Sequence, residues 1–268
     1  MIITDRFVVL NYPRTGSTFV RKAFAELARR RSTVWSRIAT RLRMRAPAFR
    51  ELLLPILRTD SAAREKRRSQ HGAYSQIPTA HRNKIVVSVA RHPLDRAVSL
   101  FEHGFWRDQP PADPGVVREQ LPAFPDLDFA GYLELQRRFD LPNVLRGVPL
   151  RAHVGPQTIH FVRFYHPDPD DALRRMTDAT VDDGSLMAEL PEIRFLHTER
   201  LVDELIALLR DAGFGADETG FVRDLGMVNA APSRKERGWR TYFTEELEAR
   251  YRHEERFLFQ ALPEYAGE

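Results

Sequence analysis

The chain has 268 residues, enough for one large α/β domain or two small ones, and its 43% hydrophobic content is ordinary for a globular chain with a substantial core. With 41 Lys plus Arg against 37 Asp plus Glu the formal charge is only +4, which suits anionic ligands without demanding nucleic acid. Cysteine is absent, so disulfides, thiolate metal sites and cysteine nucleophiles are excluded.

There is no run of about 18 apolar residues and no signal-peptide pattern, so a cytoplasmic protein without a membrane span is expected. In chain order, FVVLNY (7–12) is a short apolar run ending at Pro13, and a helical pattern follows from about Ser17 to Arg30. Between Arg29 and Arg68 twelve arginines and one lysine stand against two glutamates and one aspartate. This Arg-rich helical insertion reads either as a solvated face or as a surface for an acidic substrate. KIVVSVA (84–90) is the clearest buried strand, and RHPLDRAVSLFEHGF (91–105) continues it as a helix. The Pro-rich stretch 109–128 lacks periodicity and is expected to be a loop over the sheet edge, where it could wall an acceptor site.

Further on, EIRFLH (192–197) reads as a strand and ERLVDELIALLRDA (199–212) as a helix stopped by Gly213. Thr244 is placed to N-cap an amphipathic helix over 245–262. Phe101, Phe105 and Trp106, and likewise Phe161, Phe164 and Tyr165, have the spacing of core aromatics. The alternation predicts an α/β fold with a central parallel sheet flanked by helices. No linker or repeat divides the chain, so residues 1–268 are taken as a single domain.

YPRTGST (12–18), between the first strand and its helix, has the parts of an anion-binding turn. The helix start offers free backbone N–H groups and the positive end of its dipole. Gly16 permits close approach, Thr15, Ser17 and Thr18 can donate hydroxyl hydrogen bonds, and Arg14 adds a planar fork that keeps its charge. No GK pair follows, so the pattern departs from the loop that holds ATP and magnesium.

These residues resemble the 5′-phosphosulfate loop of sulfotransferases that use 3′-phosphoadenosine 5′-phosphosulfate (PAPS). ARHPLDRAVSLF (90–101) is similar to that family's 3′-phosphate signature, with Arg91 and Ser99 in the phosphate-holding places and Pro93 at the helix entrance. Arg96 either assists them or forms a solvent-facing salt bridge. PSRKERGWRTYFTEEL (232–247) is similar to the RKGxxGDWKxxFT segment that closes over the nucleotide: Arg234 and Lys235 match the basic pair, and Trp239 matches a residue near the adenine. Glu236 replaces the first glycine, the aspartate is absent, and the stretch is shorter. GPQTIHF (155–161) and HTERLVDEL (197–205) resemble segments of carbohydrate-type and bacterial members, with Glu199 and Arg200 structural at a helix start.

The resemblance implies a P-loop NTPase-like fold and sulfuryl transfer from PAPS, without a required metal, to a small-molecule or carbohydrate acceptor. It assigns Arg14 to the leaving 5′-phosphate. QHGAYSQIP (70–78) stands where relatives carry KTHxP, which makes His71 the expected general base; Ser69 occupies the place of the family's lysine, leaving Arg67 or Arg68 to replace it. Glu102 and His103 are the rival bases, and His92 reads as structural. The Arg-rich segment points to an anionic acceptor. A P-loop-like kinase and a polyanion- or RNA-binding module remain as alternatives, although no nucleic-acid partner is expected without a named RNA-binding motif.

Overall fold

The computed structural model of the protein describes residues 1–31, 49–55, 68–226 and 238–267. Its centre is a five-stranded sheet in the order β3-β1-β2-β6-β7. The strands are β1 (Ile2–Thr4), β2 (Phe7–Leu10), β3 (Phe49–Glu51), β6 (Ile85–Ala90) and β7 (Ile193–His197); β4 (Leu54–Pro55) and β5 (Arg68–Ser69) form a separate two-stranded pair. Strands β2, β6 and β7 run parallel, with Val8 opposite Val86 and Ser88 opposite Phe195, while β1 is antiparallel to both β2 and β3. The sheet is therefore mixed, and the parallel expectation holds only for β2, β6 and the edge strand β7. The cause is local: a turn of two residues, Asp5 and Arg6, separates β1 from β2, too short for a parallel crossover.

Strand periodicity divides the interior in two. Val8, Leu10 and Val86 face one core, and Phe7, Val9, Val87 and Val89 face the other, as alternate residues must. The second core is closed by α1 (Ser17–Arg31) and α4 (Leu201–Asp211), whose Phe19, Val20, Ala23, Leu205 and Leu209 are buried against the sheet. The first is larger and is covered by α2 (Pro93–His103), α3 (Pro156–Tyr165) and the C-terminal helices α5 (Glu245–Glu254) and α6 (Arg256–Ala261). Val9 and Val87 are wholly buried, and each such side chain contributes about 1.5–3 kcal/mol of burial. Apolar runs buried on both faces are what parallel strands require.

Helix boundaries follow their punctuation. Gly213, at φ +80°, ends the turn after α4, with its N–H on Arg210 O and the N–H of Phe214 on Leu209 O. Thr244 caps α5 by accepting from Leu247 N. Three expectations need correction. The Pro-rich stretch contains a helix, Pro114–Gln120, capped by Asp113, because Pro at the first helical position is tolerated there. The helix expected over 245–262 is broken at Glu255, whose side chain is drawn inward. Phe105 is 52% exposed, whereas Phe161, Phe164, Tyr165 and Trp106 are buried. Most of the Arg-rich segment 29–68 lies outside the described residues, and among those described no helix is long and apolar enough to cross a membrane.

Candidate functional site

Three parallel strands ending at one edge place the turns after β2, β6 and β7 side by side, where open α/β sheets hold ligands. After β2 the chain bends sharply: Arg14 adopts φ +67° and Gly16 φ +91°. The glycine is required twice over, since a Cβ there would stand 2.8 Å from Leu201 Cδ2 of α4. Thr15 Oγ1 donates to Tyr12 O (2.9 Å), closing the bend, and Gly16 O accepts from Phe19 N to start α1. Ser17 and Thr18 thus occupy the first helical positions, whose N–H groups have no intrahelical acceptor. The first turn of α1 carries no acid and its last turn carries Arg29, Arg30 and Arg31, so the positive end of the dipole is left for an anion; α2, α4 and α5 by contrast carry acids in their own first turns.

Side chains from the second turn lock onto the first. Arg14 Nε and Nη2 donate to Ser99 Oγ at 3.3 and 3.1 Å, and Arg91 Nη1 donates to Arg14 O at 3.1 Å while its Nε pairs with Asp95 (2.6 Å). Arg14, Arg91 and Ser99, as much as 85 residues apart in sequence, therefore meet in one place. Among the described residues Arg96 forms no solvent-facing salt bridge. It is 3% exposed, donates from Nε to Pro13 O (3.1 Å) and from Nη1 to Gln157 Oε1 (2.5 Å), and lies 4.2 Å over the Tyr12 ring. Thr198, the residue after β7, ties the three turns together, its hydroxyl reaching Thr15 O (2.9 Å) and Ala90 O (2.8 Å).

The candidate bases sit around this floor. His71 Nδ1 lies 2.6 Å from Asn11 O; a carbonyl only accepts, so Nδ1 carries the proton and the neutral ring has its lone pair on Nε2. Asn11, fully buried at the end of β2, also donates from Nδ2 to Gln70 O (3.3 Å), so the segment of His71 is fastened to the strand that leads into the loop. Glu102 accepts from Tyr242 OH at 2.6 Å. Burial, helped by the charge of Arg14, pushes the His103 imidazole below its ordinary value.

Elsewhere the side chains serve the scaffold. His92 caps α2 by accepting from Leu94 N (3.2 Å), and burial, with the charge of Arg252, lowers its pKa to about 4. Trp239 is 8% exposed, stacked on His92 at 5.2 Å between centroids and carrying the Arg240 guanidinium at 4.4 Å. Its ring is packed as core. Arg234, Lys235 and Arg67 lie outside the described residues. Glu199 accepts from Tyr265 OH (2.8 Å) and Arg200 pairs with Glu204.

Sequence reasoning passed over Asn11, Gln157, Thr198 and Glu255. Glu255, 1% exposed, accepts from Gln157 N (2.9 Å), Thr158 N (2.6 Å) and Thr158 Oγ1 (2.7 Å), capping α3 from another part of the chain. Burial outweighs those donors and raises its pKa to about 7. The one sequence signal available was the absence of a capping side chain at Gly155, directly before Pro156. Compared with family models, with curated proteins and with solved structures, the chain has no match in any of the three.

Proposed function

We propose that the protein is a sulfotransferase with a P-loop NTPase-like fold, which moves the sulfuryl group of PAPS to a hydroxyl, or to an amine, of a small-molecule or carbohydrate acceptor. The observation that carries this reading is the junction at Arg14, whose side chain bonds Ser99 and whose carbonyl bonds Arg91. These are the residues that the resemblance gives to the two phosphate ends of one nucleotide. Three guanidiniums, those of Arg14, Arg91 and Arg96, gather where α1 presents a first turn without a carboxylate. Such an array favours charge that develops on a departing phosphate.

In this scheme the acceptor oxygen forms the new bond to sulfur as the bond from sulfur to the 5′-phosphate oxygen breaks. Arg14 stabilises the charge on that oxygen, and His71 Nε2 receives the acceptor's proton. The Nδ1–H bond to Asn11 O supports this tautomer. The donor's phosphates occupy the N–H groups and hydroxyls of Ser17 and Thr18, and Gly16 allows their close approach.

The test is calorimetric titration with adenosine 3′,5′-bisphosphate beside ATP, with and without magnesium. Metal-independent binding of the bisphosphate, weakened by Arg91→Ala, is expected; no binding, or a preference for magnesium ATP, overturns the reading. In turnover assays His71→Ala should lose about 100-fold or more, the lower end of what a general base contributes, and a loss of less than about tenfold moves that role to Glu102.

A further inference from the structure

The conformation of Arg14 poses a physical problem. A side chain with a Cβ in the left-handed region costs roughly 1–2 kcal/mol, and arginine has none of the local compensation that Asn or Asp finds there. At φ +67° Arg14 must be held by its surroundings. Two hydrogen bonds address the two torsions in question. The carbonyl of Pro13 lies in the peptide plane whose rotation is the φ of Arg14, and Arg96 Nε grips it at 3.1 Å. The carbonyl of Arg14 itself reports its ψ, and Arg91 Nη1 grips it at 3.1 Å.

Arg96 is braced for this task. Its Nη1 bonds Gln157 Oε1 at 2.5 Å, Gln157 Nε2 bonds Tyr251 OH, and the backbone N–H of Gln157 bonds Glu255 at 2.9 Å. The Tyr12 ring supports its flat face at 4.2 Å. Its Nη2 has no partner among the described residues, and no carboxylate among them pairs with it. A buried cation without an anion is costly to maintain, and the ion-pair reading of this arginine leaves that cost unexplained.

We propose that Arg96 is a positioning residue: braced by Gln157, its guanidinium holds the Pro13 carbonyl and so keeps Arg14 left-handed, with the Arg14 side chain on Ser99 and the loop preset for an anion. The geometric part stands on the fold alone, and its consequence for binding and turnover rests on the donor reading above. A lysine cannot reproduce it, because one ammonium lacks the fork that spans Pro13 O and Gln157 Oε1 together.

The experiment compares wild type, Arg96→Lys and Gln157→Met in three readouts: the backbone carbon chemical shifts of Arg14 in the ligand-free protein, the affinity for adenosine 3′,5′-bisphosphate, and the kcat–KM split. Wild type should show a left-handed shift pattern at Arg14, and both variants should move toward the extended average. Bisphosphate affinity should weaken, and kcat should fall by up to about 100-fold, the loss typical of a misplaced reacting group, with the acceptor KM little changed. A folded Arg96→Lys with unchanged Arg14 shifts, or with full affinity for the bisphosphate, overturns the clamp. If Arg96→Lys does not fold, Gln157→Met decides, since it leaves the guanidinium in place and removes its brace. Failure of wild type to bind the bisphosphate overturns the donor reading, while the chemical shifts still decide the clamp.

Discussion

The two turns at the sheet edge are built on opposite plans. The turn after β6 is conformationally ordinary: no residue of it has positive φ, Pro93 opens the helix, and His92 supplies the cap from its own ring. The turn after β2 contains two left-handed residues and is held by side chains from elsewhere, Arg91, Arg96 and Thr198. The left-handed conformation of the first turn is thus maintained by tertiary contacts, whereas the second turn follows from its own sequence. Substitutions should therefore damage the first turn through steric and backbone effects and the second through charge.

Gly16→Val should disrupt the first turn most. A branched side chain at φ +91° meets Leu201 Cδ2, already 2.8 Å from an added Cβ. Left-handed strain of roughly 1–2 kcal/mol and overpacking of about 1–3 kcal/mol add, so a loss of several kcal/mol is expected. Denaturant unfolding should show it, together with loss of bisphosphate binding. A Gly16→Val protein of wild-type stability would mean that the bend is not as described.

The cap of the second turn should instead respond to pH, and so should Glu255, the buried acid that caps α3. His92 is held at about 4, below its ordinary 6.5, so its contribution is complete above pH 6.5 and is lost as pH falls through about 4. Glu255 has the reverse sign: its pKa rises from 4.5 to about 7, so its contribution is complete below pH 4.5 and is lost as pH rises through about 7. Each shift amounts to on the order of 3 kcal/mol. Across the shared window the two slopes oppose, and the pair contributes little net pH dependence to wild type. Glu255→Gln should unmask a Tm that climbs from pH 4 to 6.5, and His92→Asn, which retains a capping acceptor, a Tm that declines from pH 4.5 to 7. Slopes indistinguishable from wild type in both variants would remove the charges from the account.

This contrast also explains what could be read in advance. β2, β6, β7, α1, α2 and α4 were legible to within a residue or two, because apolar periodicity and punctuation such as Pro93 and Gly213 are local signals. The candidate-site residues Arg14, Gly16, Arg91 and Ser99 were legible because they occur in contiguous strings. Strand β1 was not, being three residues long and paired antiparallel through a two-residue turn. Nor was the burial of Arg96, whose charge argues for solvent until Pro13 O and Gln157 are seen to surround it. Glu255 and Thr198 act across 98 and 183 residues, distances over which sequence patterns carry no information about partners. The helix at Pro114–Gln120 did have a signal, Asp113 before Pro114, hidden in a stretch whose other prolines suggest a loop.

The smallest expected effect is the most specific. Thr198→Val keeps the shape of the side chain and removes the one hydroxyl that reaches both Thr15 O (2.9 Å) and Ala90 O (2.8 Å). A hydroxyl has a single proton, so the two carbonyls share it and the loss should be that of one hydrogen bond, about 1 kcal/mol. Because Thr15 O lies within the left-handed bend and Ala90 O at the end of β6, that bond is a tie between the two plans of turn. Its removal should lower Tm modestly and weaken bisphosphate binding less than Arg96→Lys does, since Thr198 touches neither carbonyl that flanks the φ and ψ of Arg14. Thr198→Ser should restore both properties. If Val and Ser behave alike, the hydroxyl is not what couples the turns, and the bonds of Arg91 to Arg14 O, Arg14 to Ser99 and Arg96 to Pro13 O carry that coupling.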